Sequence, residues 1–342
     1  MRSTKGTLKM MVFSRVKNTA KLRAPTLYWW TRRKQHVALT AVDSFGFRLS
    51  RVRAGRSNTF EVDLNVKAGF FASISAWLAV QYHCEVLGLR PDIRIVSGVY
   101  GDADVSKDWF RIYFDEVGGG NGSAEVGWLR TVRDVESLRL TTDLCSLNIN
   151  EASNLFDRHA TVKKEFVAMV DDLFATPSLS GKRILGVHYR GTDKFLEARA
   201  VPQTELVDAV RQELDRGLDY AVVLVASDER GCASALRDAL PGVRVEEMPA
   251  TYFGNGTTPP HMIRESNTYV LGVEALTTAL ALARCDALVR TTSYLSGWSK
   301  VFNPALRTVT LNQPDRPDTF PDATILALEE ARTSLGGRPR AK

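Results

Sequence analysis

The feature that most constrains this chain is an alternation that begins at Arg183. A short apolar run, Arg183 to Val187, leads through a polar loop to a helical pattern over Gln203–Leu214. Strand-like Ala221–Ala226, helical Cys232–Ala239 and strand-like Val243–Glu246 follow. After another polar loop come a helix over Tyr269–Ala283 and a strand over Ala287–Arg290. Strands alternating with amphipathic helices imply a parallel, doubly wound sheet. A closing helix is expected over Pro321–Ser334, ahead of the tail GGRPRAK.

The first half carries the same signal more faintly. Phe60–Leu64 reads as a strand, KAGFFASIS as a glycine turn, Ala76–Leu87 as a helix and Asp92–Ser97 as a second strand, which together make a βαβ unit. The glycine-rich VGGGNGSAEVGW, Val117–Trp128, lacks the Lys-Ser or Lys-Thr pair of a phosphate loop and reads as a surface connection. Glu151–Phe174 has helical periodicity, and TPSLSGK, Thr176–Lys182, reads as a domain linker. A chain of 342 residues exceeds what one core usually supports. The expected architecture is α/β, with two Rossmann-like domains facing across a cleft. An acceptor-side domain spans 39–178 and a nucleotide-sugar-binding domain 179–320, between a basic arm (1–38) and a closing helix and tail (321–342). Open α/β sheets bind ligands at the carboxyl ends of their strands, which this arrangement places on the cleft walls.

Charge is unevenly spread. Met1–Val42 holds ten Lys or Arg and no acidic residue, so the remaining 35 basic residues face 39 acidic ones. The basic N-terminus is read as a solvated arm; a weak contact with an anionic membrane surface stays open, and nucleic acid is the less favoured partner. No apolar run suits a signal peptide or a membrane span. Cys84, Cys145, Cys232 and Cys285 are scattered, with no CxxC and no His at ligand spacing, so neither zinc nor a disulfide framework is indicated. A reducing, cytoplasmic setting is expected, peripheral at most to the inner face of the membrane.

The chemistry concentrates in RILGVHYRGTDKFLEARAVP, Arg183–Pro202. Its apolar run delivers His188, Arg190, Asp193, Lys194 and Glu197 to one strand-end loop. Arg190 offers a permanently charged fork of donors suited to a pyrophosphate, and Gly191 permits close backbone approach. A nucleotide-sugar glycosyltransferase must stabilise a departing diphosphate and deprotonate an acceptor hydroxyl. Arg190 and Lys194 suit the first task, and Asp193 or Glu197 the second. His188 is read as shaping the loop or contacting phosphate. Cationic side chains can neutralise the leaving group without a metal, and Asp102 and Asp104 form a DAD in a polar loop with nothing else to recommend it. The blander alternative pairs Asp193 with Lys194 or Arg190 and lets Glu197 start a helix.

These residues resemble the inverting fucosyltransferases of GT-B architecture, the family of the rhizobial nodulation enzyme and the animal N-glycan core α-1,6-fucosyltransferase. The resemblance is carried by His188, Arg190, Thr192, Asp193, Lys194, Glu197 and Pro202, with the Asp193–Glu197 gap one residue shorter than the family's. VVLVASDE, Val222–Glu229, is similar to the family's next strand and brings in Asp228. GVEALTTALALARCDALVRTTSYLSGWSKVFNP, Gly272–Pro304, looks like its last motif and makes Thr292, Ser293 and Tyr294 donor-site candidates. The family's acidic guanine reader falls on Thr278, and Glu274, one turn earlier, is the candidate substitute. KAGFFASISAWL, Lys67–Leu78, resembles the opening of the acceptor domain in bacterial relatives. The likeness runs over 181–304, more faintly over 63–114, and not before Leu39. It implies a metal-independent, inverting transferase that moves fucose from GDP-fucose to a glycan acceptor, with no separate cofactor. Arg190 would bind the β-phosphate, His188 and Lys194 would support the donor, and Glu197 would be the base, with Asp193 the alternative. A different nucleotide sugar, or an inactive binding protein of the same fold, remains open.

Overall fold

The computed structural model describes residues 59–65, 68–96, 100–101, 108–117, 125–129, 148–191, 200–254 and 267–312. The basic arm, the closing helix, Asp102, Asp104 and most of the glycine-rich connection lie outside them.

The first half is organised on a parallel sheet of order β2-β1-β4, from β1 (Thr59–Leu64), β2 (Arg90–Ile95) and β4 (Glu125–Leu129). Helix α1 (Phe70–Leu87) crosses between β1 and β2. It begins at Phe70, six residues before the expected Ala76, because Phe70–Ser73 form its first turn, with Gly69 as the N-cap. Ser73 N–H already bonds to Gly69 O at 3.0 Å. The helix is apolar on every side, which suits an element packed on all sides. It ends where Gly88 takes φ of 65°, a left-handed conformation that glycine adopts without penalty, and Leu89 N–H returns to Cys84 O at 2.8 Å.

The expected helix Glu151–Phe174 is two helices, α3 (Ile149–His159) and α4 (Lys164–Ala175). Between them β5 (Ala160–Val162) pairs antiparallel with β3 (Phe114–Glu116), which follows the one-turn helix α2 (Phe110–Tyr113). β-Branched Thr161 and Val162 make that pairing cheap, and tertiary contact overrides the helical periodicity. Helix α3 starts with a capping box in which Asn148 and Glu151 exchange side-chain-to-backbone bonds, both 2.9 Å. TPSLSGK is a compact turn with Leu179 buried and Lys182 Nζ donating to the carbonyls of Pro177 and Ser178, both at 2.9 Å.

The second half is a five-stranded sheet, entirely parallel, of order β10-β9-β6-β7-β8. Its strands are β6 (Ile184–Tyr189), β7 (Val222–Ser227), β8 (Arg244–Glu247), β9 (Ala287–Arg290) and β10 (Arg307–Thr310). Read in chain order the strands run 3-2-1-4-5, the doubly wound pattern. Helices α5 (Gln203–Leu214) and α6 (Cys232–Ala239) pack on the face presented by Leu185, Val187, Val223 and Val225. Helices α4 and α7 (Thr268–Ala283) cover the opposite face, presented by Ile184, Val222, Leu224 and Leu288. Alternate strand residues therefore serve two buried layers, which is why β6 reads as a continuous apolar run. A further helix, α8 (Tyr294–Phe302), follows β9.

The halves share a core. Leu271, Leu276 and Ala279 of α7 and Trp298 and Val301 of α8 are buried in one cluster with Phe70, Trp77, Phe110, Tyr113 and Phe156 of the first half. Trp298 Nε1 donates to Ser75 Oγ at 2.8 Å, and Thr268 Oγ1 donates to Gly101 O at 2.6 Å. Gly272 admits the Tyr113 hydroxyl against α7: a Cβ there would lie 2.0 Å from it.

One buried carboxylate gives this core a pH dependence. Asp108 Oδ1 accepts from the amides of Ile95, at 2.7 Å, and Phe110, at 3.1 Å, and burial pushes its pKa from 3.8 up to about 6, against the pull of those bonds and of Arg111. A raised carboxyl pKa means that the folded state holds the proton more tightly. Its contribution is therefore complete below pH 3.8 and lost as pH rises through about 6. Asp108→Asn, which stays neutral, is expected to remove on the order of 2–3 kcal/mol of stability change between pH 4 and pH 7. Urea denaturation across that range checks it; parallel pH profiles for both proteins would refute it.

Candidate functional site

In a 3-2-1-4-5 sheet the strand order reverses between the first and fourth strands, here β6 and β9, and sheets of this kind bind ligands beyond those carboxyl ends. The register pairs His188 with Arg290, so both strands end level. Arg190 and Gly191 leave β6 there, beside Thr291, Thr292 and Ser293 leaving β9.

Backbone bonds lock the two exits together. Thr291 N–H donates to His188 O at 3.0 Å, and Arg190 N–H donates to Thr291 Oγ1 at 2.9 Å. The backbone of Arg190 is thus held through its own amide. Its guanidinium is about a quarter exposed, with Nε 3.8 Å from Asp228 Oδ2 at the end of β7. Burial pushes the phenol of Tyr100, in the first half, up, and the charge of Arg190 acts against that shift. His188 is buried in the strand.

Gly191 is required by a close approach, though to a protein group rather than to a ligand. A Cβ there would meet Glu229 Oε1 at 1.9 Å. Its amide donates to Asp228 Oδ1 at 3.2 Å, and Gln203 Nε2 reaches Glu229 Oε2 at 3.4 Å. Asp228 and Glu229 therefore form an acidic collar around the start of the loop. Tyr189 Oη donates to Val201 O at 2.8 Å, anchoring the other end of the loop beneath the same strand. Asp193, Lys194 and Glu197, with Thr192, lie outside the described residues.

On the β9 side the hydroxyl of Thr291 is used within the fold. Thr292 is fully enclosed, and its Oγ1 has no partner among the described residues. Ser293 Oγ accepts from Leu295 N–H at 3.3 Å and so caps α8. Tyr294, the first residue of α8, is half-buried. The α8 N-terminus, with its partial positive charge, thus stands at the crevice near Arg190. Glu274 is engaged elsewhere: its Oε1 accepts from Thr251 N–H at 2.6 Å, holding the chain that follows β8. Among the described residues no group of three or more His, Cys, Asp or Glu could hold a metal ion. No described helix is long and apolar enough to cross a membrane.

Sequence reading singled out His188, Arg190, Asp228, Thr292, Ser293 and Tyr294, and the structure places all six at or just beyond the carboxyl ends of β6, β7 and β9. It did not single out Thr291, Glu229 or Asn312. Asn312 Oδ1 accepts from Thr292 N–H at 2.7 Å and holds the turn between β9 and α8 from the β10 side. Asn312 lies beyond the stretch that carried the resemblance.

No protein-family model matches the chain, and no curated protein matches it. Among solved structures it is similar to a NodZ α-1,6-fucosyltransferase soaked with GDP-fucose, at 16% identity and a TM-score of 0.47 over 72% of this chain and 93% of that one. A fucosyltransferase NodZ from Bradyrhizobium aligns at 16% identity and a TM-score of 0.49, over 70% and 93% of the two chains. POFUT1 in complex with GDP-fucose aligns at 8% identity and a TM-score of 0.44, over 75% and 99%. Likeness at this level decides neither substrate nor activity.

Proposed function

We propose that this protein is a glycosyltransferase that uses a nucleotide sugar. The observation that carries the reading is the placement of Arg190 at the switch point of a 3-2-1-4-5 sheet, with its amide tied to Thr291 and its guanidinium beside the Asp228 carboxylate. A fixed cation beside a helix N-terminus suits the negative charge that builds on a departing diphosphate. The bond from the sugar's anomeric carbon to the diphosphate breaks with its electron pair on the diphosphate, and an acceptor oxygen, its proton passed to a carboxylate base, forms the new bond to that carbon.

The motif resemblance extends this to fucose transferred from GDP-fucose to a glycan acceptor. Attack from the face opposite the leaving group gives inversion, Glu197 is the proposed base and Asp193 the alternative. Metal independence belongs to the same reading, since Arg190 and Lys194 supply cationic charge. Asp228, whose carboxylate reaches both Arg190 and Gly191, is the described acidic residue best placed to order the donor loop. The engagement of Glu274 with Thr251 favours a second donor reading in which the base is not guanine.

A thermal-shift panel of GDP, UDP, dTDP and CDP tests both. Saturating GDP, at about a hundred times its Kd, is expected to add roughly 2.7 kcal/mol and raise the melting temperature by several degrees. A shift with UDP but not GDP would replace the donor, and no shift with any of the four would end the transferase reading.

A further inference from the structure

Asn312 is the second residue beyond β10, and it reaches across to the turn between β9 and α8, where its Oδ1 accepts the Thr292 N–H at 2.7 Å. Its neighbour Leu311 donates its own N–H to Arg290 O at 3.0 Å, so the ends of β10 and β9 are tied twice. Ser293 then caps α8. Asn312 therefore fixes the peptide that leads directly into a helix N-terminus.

The informative property of Asn312 is that it is uncharged. At several other places in this chain a carboxylate holds a backbone amide of another element: Asp108 takes Ile95 and Asp286 takes Ile184, both at 2.7 Å, and Glu274 takes Thr251 at 2.6 Å. At the same sheet edge Asp228 Oδ1 takes the Gly191 amide at 3.2 Å, with Arg190 beside it to offset its charge. A carboxylate at position 312 would accept the Thr292 N–H more strongly than an amide oxygen does, and its charge would suit the positive end of α8. The fold alone favours aspartate there. Yet Arg290–Phe302 contains no Asp or Glu, and the side chains that tie the β6 and β9 exits, Thr291 for the Arg190 amide and Asn312 for the Thr292 amide, are both neutral.

Resting on the nucleotide-sugar reading, we infer that Asn312 is a positioning residue that shapes the β9–α8 turn for the donor's diphosphate while keeping negative charge away from it. An anion beside that turn gains from the helix terminus and from Arg190, whereas a carboxylate hydrogen-bonded to the Thr292 amide would repel it. The asparagine gives up a stronger bond within the fold to leave room for the charge of the ligand.

The test is thermal melting and isothermal titration of the wild type, Asn312→Asp and Asn312→Ala, with the diphosphate selected by the nucleotide panel, GDP being expected, and with its nucleoside. Aspartate keeps the acceptor and adds charge; alanine removes the acceptor and adds none. Asn312→Asp is expected to melt at or above the wild-type temperature, and Asn312→Ala a few degrees below it. GDP affinity is expected to follow another order, falling about threefold in Asn312→Ala and about tenfold in Asn312→Asp, with nucleoside binding unchanged in the latter. An asparagine that serves only the fold gives the same order in both measurements, and that result overturns the inference while the transferase reading stands. So does an Asn312→Asp protein that loses nucleoside affinity by the same factor, because the turn is then distorted, or one that fails to fold, because the fold itself then excludes the charge. A wild type that binds no nucleoside diphosphate overturns both.

Discussion

Arg190→Ala is expected to lower sugar transfer by about a thousandfold while leaving the fold intact. The activity loss follows from removing the cation at the point where leaving-group charge develops, a type of deletion that costs roughly 100- to 1,000-fold. The fold survives because the structural bond at this position, Arg190 N–H to Thr291 Oγ1, belongs to the backbone. The ion pair to Asp228, at 3.8 Å, is long and partly exposed, so its loss contributes about 1 kcal/mol at most. Arg190→Lys separates charge from shape: it keeps the cation but loses the planar fork, and is expected to recover part of the lost rate. Transfer rates measured beside urea denaturation decide the matter. An alanine variant with wild-type turnover would put the diphosphate elsewhere.

How much of this was legible beforehand depended on the reach of the interactions concerned. The second sheet was readable because each element is specified locally: β6 by its apolar run, α5 and α6 by amphipathic periodicity, and the parallel order by strict alternation. Arg190 was readable for the same reason, since a charge at the end of a buried strand lies at the sheet's carboxyl edge whatever surrounds it. The split between α3 and α4 was not, because Thr161 and Val162 enter a strand through β3, more than forty residues upstream. Nor were α8 and β10, which a serine-rich turn and a short β-branched run signal too weakly. Gly191 was readable as a site of close approach, but not as facing Glu229, since strand ends from separate βα units come together only in the sheet.

Trp298→Ala is expected to be the most destabilising single change in the described core, by about 3–5 kcal/mol, with a fall in melting temperature of roughly 10 °C. Trp298 is fully buried and stacks on Phe71 at 5.5 Å, with Phe156 edge-on at 5.4 Å and Phe302 at 5.6 Å. Truncation leaves a cavity bounded by rings that cannot collapse, because they are fixed in both halves of the molecule. It also removes the indole that donates to Ser75 Oγ, whose own proton is already committed to Phe71 O at 2.7 Å. Trp298→Phe fills most of the space but loses that bond, and should cost less, about 1–2 kcal/mol. The effect should also reach the crevice, since Trp298 lies little more than one turn into α8 from the Ser293 cap and the turn held by Asn312. Nucleotide affinity is therefore expected to fall in the order wild type, Trp298→Phe, Trp298→Ala, although neither substitution changes a proposed ligand contact. A shared core makes the two halves melt as one transition, so an alanine variant that unfolds in two separate steps would show that α7 and α8 do not bind the halves into one unit.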